Sequence, residues 1–271
     1  MDDEAGRATL RRYYEEYVSI AVELGVGFVF EAPTWRSNPD WGEKLGYSAE
    51  ALAEVNRRAV ALVAEIREQR MTDRTPMVVS GCIGPRGDGY DPTHLMSADT
   101  AADYHRAQIE TFAGTAADMV TAQTLNYVDE AVGIARAAHD LGMPSVISFT
   151  VETDGQLPTG QPLKEAIQEV DARTGAAPGY YMINCAHPTH FAGALEPGAS
   201  WVRRIMSLRA NASTLSHAEL DEATELDEGD PESLGREYRE LRDRFPHLSV
   251  LGGCCGTDHR HVAAIGRACA G

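Results

Sequence analysis

Apolar positions along the 271-residue chain fall into two alternating rhythms: short runs rich in β-branched residues, and longer segments with an apolar residue every three to four positions. Short runs bounded by turn residues read as strands and the longer ones as helices carrying one apolar face, so the alternation predicts parallel βα units. Seven strands are expected, at 27–31, 77–83, 118–124, 145–151, 180–186, 205–209 and 248–252. Helix starts are legible at Ser48, ahead of Leu52, Val55, Ala59, Leu62, Val63 and Ile66, and at Ser97, ahead of Tyr104, Ile109 and Phe112. Stops are legible where Gly25 follows Leu24 and where Gly142 follows Leu141, with Pro144 beyond. The acidic stretch 216–237 is read as solvated loop and helix, because Leu220, Leu226 and Leu234 punctuate it.

Strands alternating with helices in this way build either an open doubly wound sheet or a barrel. No dinucleotide-type glycine fingerprint follows the first strand. A (β/α)8 TIM barrel lacking its first strand is therefore expected, as one domain over 1–271, a length that a single barrel accommodates.

Composition narrows the function. The formal net charge is −17, from 24 Lys and Arg against 41 Asp and Glu. Such a chain repels phosphate backbones and anionic lipid, and its cations form no local patch, so neither nucleic acid nor membrane is expected as a partner. No apolar run approaches the ~20 residues of a membrane span, and the acidic start Met1-Asp2-Asp3-Glu4 is unlike a secretory signal. A cytoplasmic protein is expected. Five cysteines, two of them adjacent, do not make a disulfide framework and are read as reduced thiols.

Catalytic groups of a barrel collect at the C-terminal ends of its strands. Two of the seven ends carry cysteine, as Asn184-Cys185 and Cys254-Cys255, and both are flanked by small residues. Three thiolates around Zn²⁺ would leave the fourth position free, as catalytic zinc sites do. Adjacent residues of a strand point to opposite faces, so Cys254 and Cys255 share an ion only if the chain turns sharply, which Gly252, Gly253 and Gly256 permit. On spacing alone, buried apolar thiols remain an equal reading, and a vicinal disulfide is a third. Cys82 is read as packing and Cys269 as incidental. His187 and His190, and His259 and His261, could bind metal; His187 is the better candidate for a loop contact to substrate, and Asp258 is expected to cap the last helix with His259 and His261 on its exposed first turn. Asn184 divides evenly between a core amide and a substrate contact. Arg209 and Asn211 are weak pocket candidates, and Trp35 and Trp41 are read as loop packing in preference to an aromatic wall for a cationic donor.

Four segments, GCIGPRGDGY from 81, SFTVETDGQLPTGQPL from 148, INCAHP from 183 and GGCCGTDHRHVAAI from 252, together resemble the homocysteine S-methyltransferase family, in order over nearly the whole chain. The resemblance implies a zinc barrel with Cys185, Cys254 and Cys255 as ligands, which methylates the thiol of homocysteine, or a close thiol, to give methionine from a small methyl donor. Zinc would deprotonate the bound thiol, and three anionic sulfurs around a dication leave a formal charge of −1, keeping a substrate thiolate electron-rich. The family opens with a strand bearing Asp-Gly, whereas this chain begins at what reads as the following helix, for which a start assigned too far downstream is the expected cause. The family's Glu-Thr after the fourth strand, which contacts the substrate amino group, is Gln123-Thr124 here. Gln123 and Asn184 are the expected substrate contacts. A non-catalytic relic that keeps zinc is the alternative, an aldolase-type barrel lacks its basic strand end, and the methyl donor and any homo-oligomer are not legible.

Overall fold

The computed structural model describes residues 3–270. In chain order its elements are α1 (Glu4–Leu24), β1 (Phe28–Glu31), α2 (Pro39–Lys44), α3 (Ala49–Arg70), β2 (Met77–Ile83), α4 (Ala98–Ala113), β3 (Met119–Leu125), α5 (Val128–Asp140), β4 (Ser145–Phe149), α6 (Leu163–Thr174), β5 (Tyr180–Asn184), α7 (Pro188–Phe191), β6 (Ile205–Ala210), α8 (His217–Glu222), α9 (Pro231–Arg244), β7 (Val250–Gly253) and α10 (His259–Cys269). The strands form one sheet in the order β1 to β7, every neighbouring pair parallel. The sheet curls into a nearly closed barrel of seven strands. Among the described residues β1 and β7 each pair on one side only, so one seam stays open.

Local signals act where the sequence places them. Ser48 and Ser97 cap α3 and α4, their hydroxyls accepting from the amides of Ala51 and Thr100. Gly25 ends α1 in the left-handed region at φ 66°. Strand bounds differ from expectation by one or two residues. The fourth and fifth strands stop at Phe149 and Asn184, because the chain leaves the ladder there to shape the barrel mouth. One histidine is placed differently: His261 lies on α10 as read, but it is fully buried, its Nε2 2.8 Å from the Glu228 carbonyl and its Nδ1 accepting from the Asp258 amide.

Side-chain alternation builds two layers. Val79, Val120, Ile147, Ile183 and Leu208 are buried in the main core, in the shell that also holds Ile109 and Phe112 of α4. Val78, Thr121, Val146, Met182 and Ser207 line the lumen. The lumen is not filled by these side chains. A cavity of about 1090 Å³ runs from Tyr17 and Leu24 of α1, through the seam between β1 and β7, to Cys254 and Cys255 at the mouth.

Outside the sheet, α4 and α5 meet at the small residue Gly133. A Cβ there would lie 2.5 Å from the Ala98 carbonyl oxygen and 2.6 Å from the Ala101 Cβ. Alanine is the better helix former by about 1 kcal/mol, but here it collides with backbone. Gly133→Ala is expected to lower unfolding stability by about 1–3 kcal/mol, measured by urea denaturation, and no loss would show that the two helices can part freely.

Candidate metal centre

The barrel mouth is built from three strand ends. β5 delivers Asn184 and then Cys185, where the backbone turns left-handed at φ 56°. Beside it, Thr124, next to last in β3, is also left-handed at φ 62°. Such backbone is unfavourable for a side chain with a Cβ and persists only where the surroundings hold it. Here the holding group is Asn184, whose Oδ1 accepts from the Thr124 amide at 2.9 Å and whose Nδ2 donates to Thr124 Oγ1 at 2.9 Å and towards Cys185 Sγ at 3.1 Å. Ser148 completes the set by donating to the same Oδ1. Asn184 is 1 % exposed, so all of its polar capacity is spent inside the protein.

β7 delivers the other two cysteines. After Gly253 the chain turns, with Gly256 at φ 76° and a would-be Cβ 2.6 Å from the Asp227 carbonyl, so no other residue fits without movement. Asn211 joins this turn to Cys185: its Nδ2 donates to the Cys185 carbonyl at 3.0 Å and its Oδ1 accepts from the Cys255 amide at 3.2 Å. The Ala212 amide also donates to the Cys255 carbonyl. Two stretches 70 residues apart in sequence are thereby locked together.

The sulfurs of Cys185, Cys254 and Cys255 all lie within 4.8 Å of one another. Cys185 and Cys255 are 4.0 Å apart at sulfur. A tetrahedral ion bound at the usual zinc–sulfur length of about 2.3 Å sets its sulfurs about 3.8 Å apart, so the spacing suits a metal site. Cys185 is buried, Cys254 half-buried and Cys255 exposed, which leaves one approach open. Hydrogen bonds from Cys185 and Cys255, aided by the Arg209 charge and Asn184 against the effect of burial, hold the Cys254 thiol well below its usual range. Cys185 is raised in return, first by sharing with Cys254 and Cys255 and then by burial. Cys255 is raised as well, because its interaction with Cys254 and its burial outweigh the downward pull of Cys185. The triad thus holds its first negative charge on Cys254.

The remaining candidates divide. Gln123, 6 % exposed, ends β3 facing β6, and its Oε1 accepts from Arg209 Nη1 at 3.0 Å. Trp35 reaches the same neighbourhood, its Nε1 3.4 Å from the Gln123 carbonyl. Trp41 stands in α2, where the Arg36 guanidinium stacks on it and on Trp35. His187 caps α7 and, with His190, lies outside the sulfur cluster. Cys82 is buried at the end of β2, and Cys269 is buried on α10. Three further residues stand at the mouth, of which Glu31 is legible as a strand-end residue and Tyr90 and His217 are not. Glu31 lies at the end of β1. Tyr90 packs against His217 with tilted rings, centroids 4.3 Å apart, beside Cys185 and Cys255. His217 sits with Nε2 2.6 Å from the Cys185 carbonyl and Nδ1 3.2 Å from Glu152. Tyr90 and His217 stand on a loop and a short helix far in sequence from Cys185, Cys254 and Cys255, and no spacing links them. Glu31 is readable because it closes a strand at the catalytic end of the barrel, though nothing in the sequence gives it a role.

The family model for homocysteine S-methyltransferase matches residues 5–269. The chain belongs to the homocysteine S-methyltransferase family. Among its relatives are homocysteine S-methyltransferase 4 of Zea mays, 23 % identical over 96 % of this chain and 79 % of the relative, and selenocysteine Se-methyltransferase of Brassica oleracea var. italica, 24 % identical over 90 % of this chain and 75 % of that one. In fold the chain is similar to the homocysteine methyltransferase MmuM from Escherichia coli in its metallated form, with a TM-score of 0.74 at 17 % identity, covering 98 % of this chain and 89 % of MmuM. The homocysteine S-methyltransferase barrel therefore frames the cysteine cluster, and no helix among the described residues is long and apolar enough to cross a membrane.

Proposed function

We propose that the protein is a zinc-dependent thiol S-methyltransferase, which methylates homocysteine or a close thiol with a small methyl donor. The observation that carries this reading is the meeting of three cysteine sulfurs from β5 and β7 within 4.8 Å, at the strand ends where a barrel keeps its chemistry. Family membership supports it, as does the pairing of thiol and selenol methyltransferases among the relatives.

Cys185, Cys254 and Cys255 would hold the ion, and a soft borderline dication is what three thiolates select. Bound there, zinc would lower the pKa of an incoming thiol and keep it as a thiolate at neutral pH. The chain's own residues do the rest. Asn184 and Asn211 fix the three sulfurs before substrate arrives, so little reorganisation is needed when it does. The substrate sulfur then displaces the donor's leaving group at the methyl carbon: the new S–CH₃ bond forms as the old bond to methyl breaks, and the electron pair leaves with the donor. The substrate's proton is lost when its thiol binds, so no further base is required. A reducing, cytoplasmic compartment would keep the three thiols free.

Incubating the zinc-loaded protein with homocysteine and S-methylmethionine, S-adenosylmethionine or betaine tests the reading by mass-spectrometric detection of methionine. Methionine from at least one donor is expected. None from any donor, with zinc bound, would leave a metal-binding barrel without this activity.

A further inference from the structure

Just inside the cysteine triad the lumen carries two opposite charges. Glu31 ends β1 and Arg209 lies near the end of β6, and both line the cavity that Cys254 and Cys255 also line. The two attract each other without forming a direct ion pair. Arg209 is held instead by its Nε, which donates to the Gly253 carbonyl at 3.2 Å, and by its Nη1, which donates to Gln123 Oε1 at 3.0 Å. Glu31 Oε2 is shut off from solvent with no hydrogen-bond partner, and so is Gln123 Nε2. Burial disfavours the Glu31 charge, while the Arg209 charge and the polar side chains of Ser80, Thr121 and Gln123 beside it favour that charge; a buried polar atom left without a hydrogen bond of its own is costly, and proteins keep one where a ligand completes the set.

The role of Gln123 changes on this geometry. Its one acceptor is taken by Arg209, and what remains is an N–H donor, which repels an ammonium. A cationic group is thus turned away from the end of β3 and an anionic one is drawn to Arg209. A carboxyl group is instead on offer at Glu31.

We propose that Arg209 and Glu31 are the specificity-determining pair for the thiol substrate, Arg209 receiving the carboxylate and Glu31 the ammonium of an α-amino-acid thiol, with Gln123 as the residue that positions Arg209. The inference rests on the methyltransferase reading above, since it takes the substrate sulfur to sit at the triad. It names the substrate class, a thiol whose head group is dipolar, and it moves the amino-group contact from β3 to β1. A charge-assisted bond in a site shielded from water is the strong kind, and two of opposite sense select against a ligand that lacks either charge.

Protein loaded with cobalt(II) gives a direct binding readout, because thiolate ligation changes the visible and near-ultraviolet absorption. Three thiols serve as probes: L-homocysteine, 4-mercaptobutyrate, which lacks the ammonium, and 3-mercaptopropylamine, which lacks the carboxylate. L-Homocysteine is expected to bind at least about tenfold more tightly than either of the others. Arg209→Gln should weaken homocysteine and 4-mercaptobutyrate about tenfold or more and leave 3-mercaptopropylamine within about twofold. Glu31→Gln should do the reverse, sparing 4-mercaptobutyrate. Gln123→Glu supplies a check if Arg209→Gln fails to fold, since a carboxylate facing Arg209 would compete with 4-mercaptobutyrate and favour 3-mercaptopropylamine. Equal weakening of all three thiols, or none, with cobalt–thiolate absorption intact, would overturn the pair and leave the methyltransferase reading standing. Failure of cobalt to give cysteine-thiolate absorption at all would overturn the metal reading and this inference with it.

Discussion

Replacing Cys254 by alanine should bring the zinc content of the purified protein from close to one ion per chain to near zero, read by atomic emission after anaerobic purification. Three sulfurs hold the site, and two of them cannot restore the lost coordination, because no further cysteine, histidine or carboxylate among the described residues joins the cluster. Of the three, Cys254 is the ligand already biased to thiolate. The same bias sets the pH dependence. The neighbouring sulfurs, Arg209 and Asn184 bias Cys254 to thiolate, while Cys185 and Cys255 are biased to thiol. Binding zinc as thiolates must then expel protons, so zinc affinity should climb with rising pH and fall on acidification. A slope near zero in a competition titration with a chelator would mean that the thiols do not bind the ion. Retention of full zinc by the alanine variant would remove Cys254 from the site.

Tyr238 is expected to give the largest loss of folding stability of any single side chain near the mouth. It projects from α9 into the shell behind β6 and β7, 1 % exposed, and its hydroxyl donates to the Gly252 carbonyl at 2.6 Å while accepting from the Ala210 amide at 2.8 Å. These are backbone groups of the two strands that carry Arg209 and lead into Cys254. Tyr238→Phe strands both of them in the interior, which costs about 1–3 kcal/mol. Tyr238→Ala adds the loss of a buried ring, for a total of about 3–5 kcal/mol or more. Urea denaturation of the metal-free protein measures both, and chelator competition should show weaker zinc retention even in the phenylalanine variant. A phenylalanine variant as stable as the parent would show that water takes over the two bonds.

Much of the architecture was legible in the amino-acid pattern, for reasons these elements make plain. A strand buried on both faces reads as a continuous apolar run, as Met77 to Ile83 does, and serine before an apolar periodic segment marks a helix start because its hydroxyl satisfies a free amide. Strand ends were less legible. Thr124 and Cys185 bend through left-handed backbone that their side chains disfavour, and bonds to groups distant in sequence, Thr124 to Asn184 and Cys185 to Arg209 and Asn211, hold them there. Burial of His261 was hidden for a similar reason, since its partner is the Glu228 carbonyl, 33 residues away. Within the site, the cysteines announced themselves by type, but Glu31 and Arg209 are ordinary charged residues until the barrel brings β1 and β6 to one cavity. Gln123 was singled out by comparison with a glutamate. Its bond to Arg209 joins residues 86 apart, which no local pattern encodes.

The two left-handed bends beside each other at the mouth behave as a single latch. Each stores about 1–3 kcal/mol of conformational tension, and one amide, that of Asn184, fastens both. Neither bend can relax alone, so the first sulfur is cocked towards its two companions before any ion arrives, and slackening at Thr124 would be felt at Cys185 although the chain between them runs through two more strands and two helices.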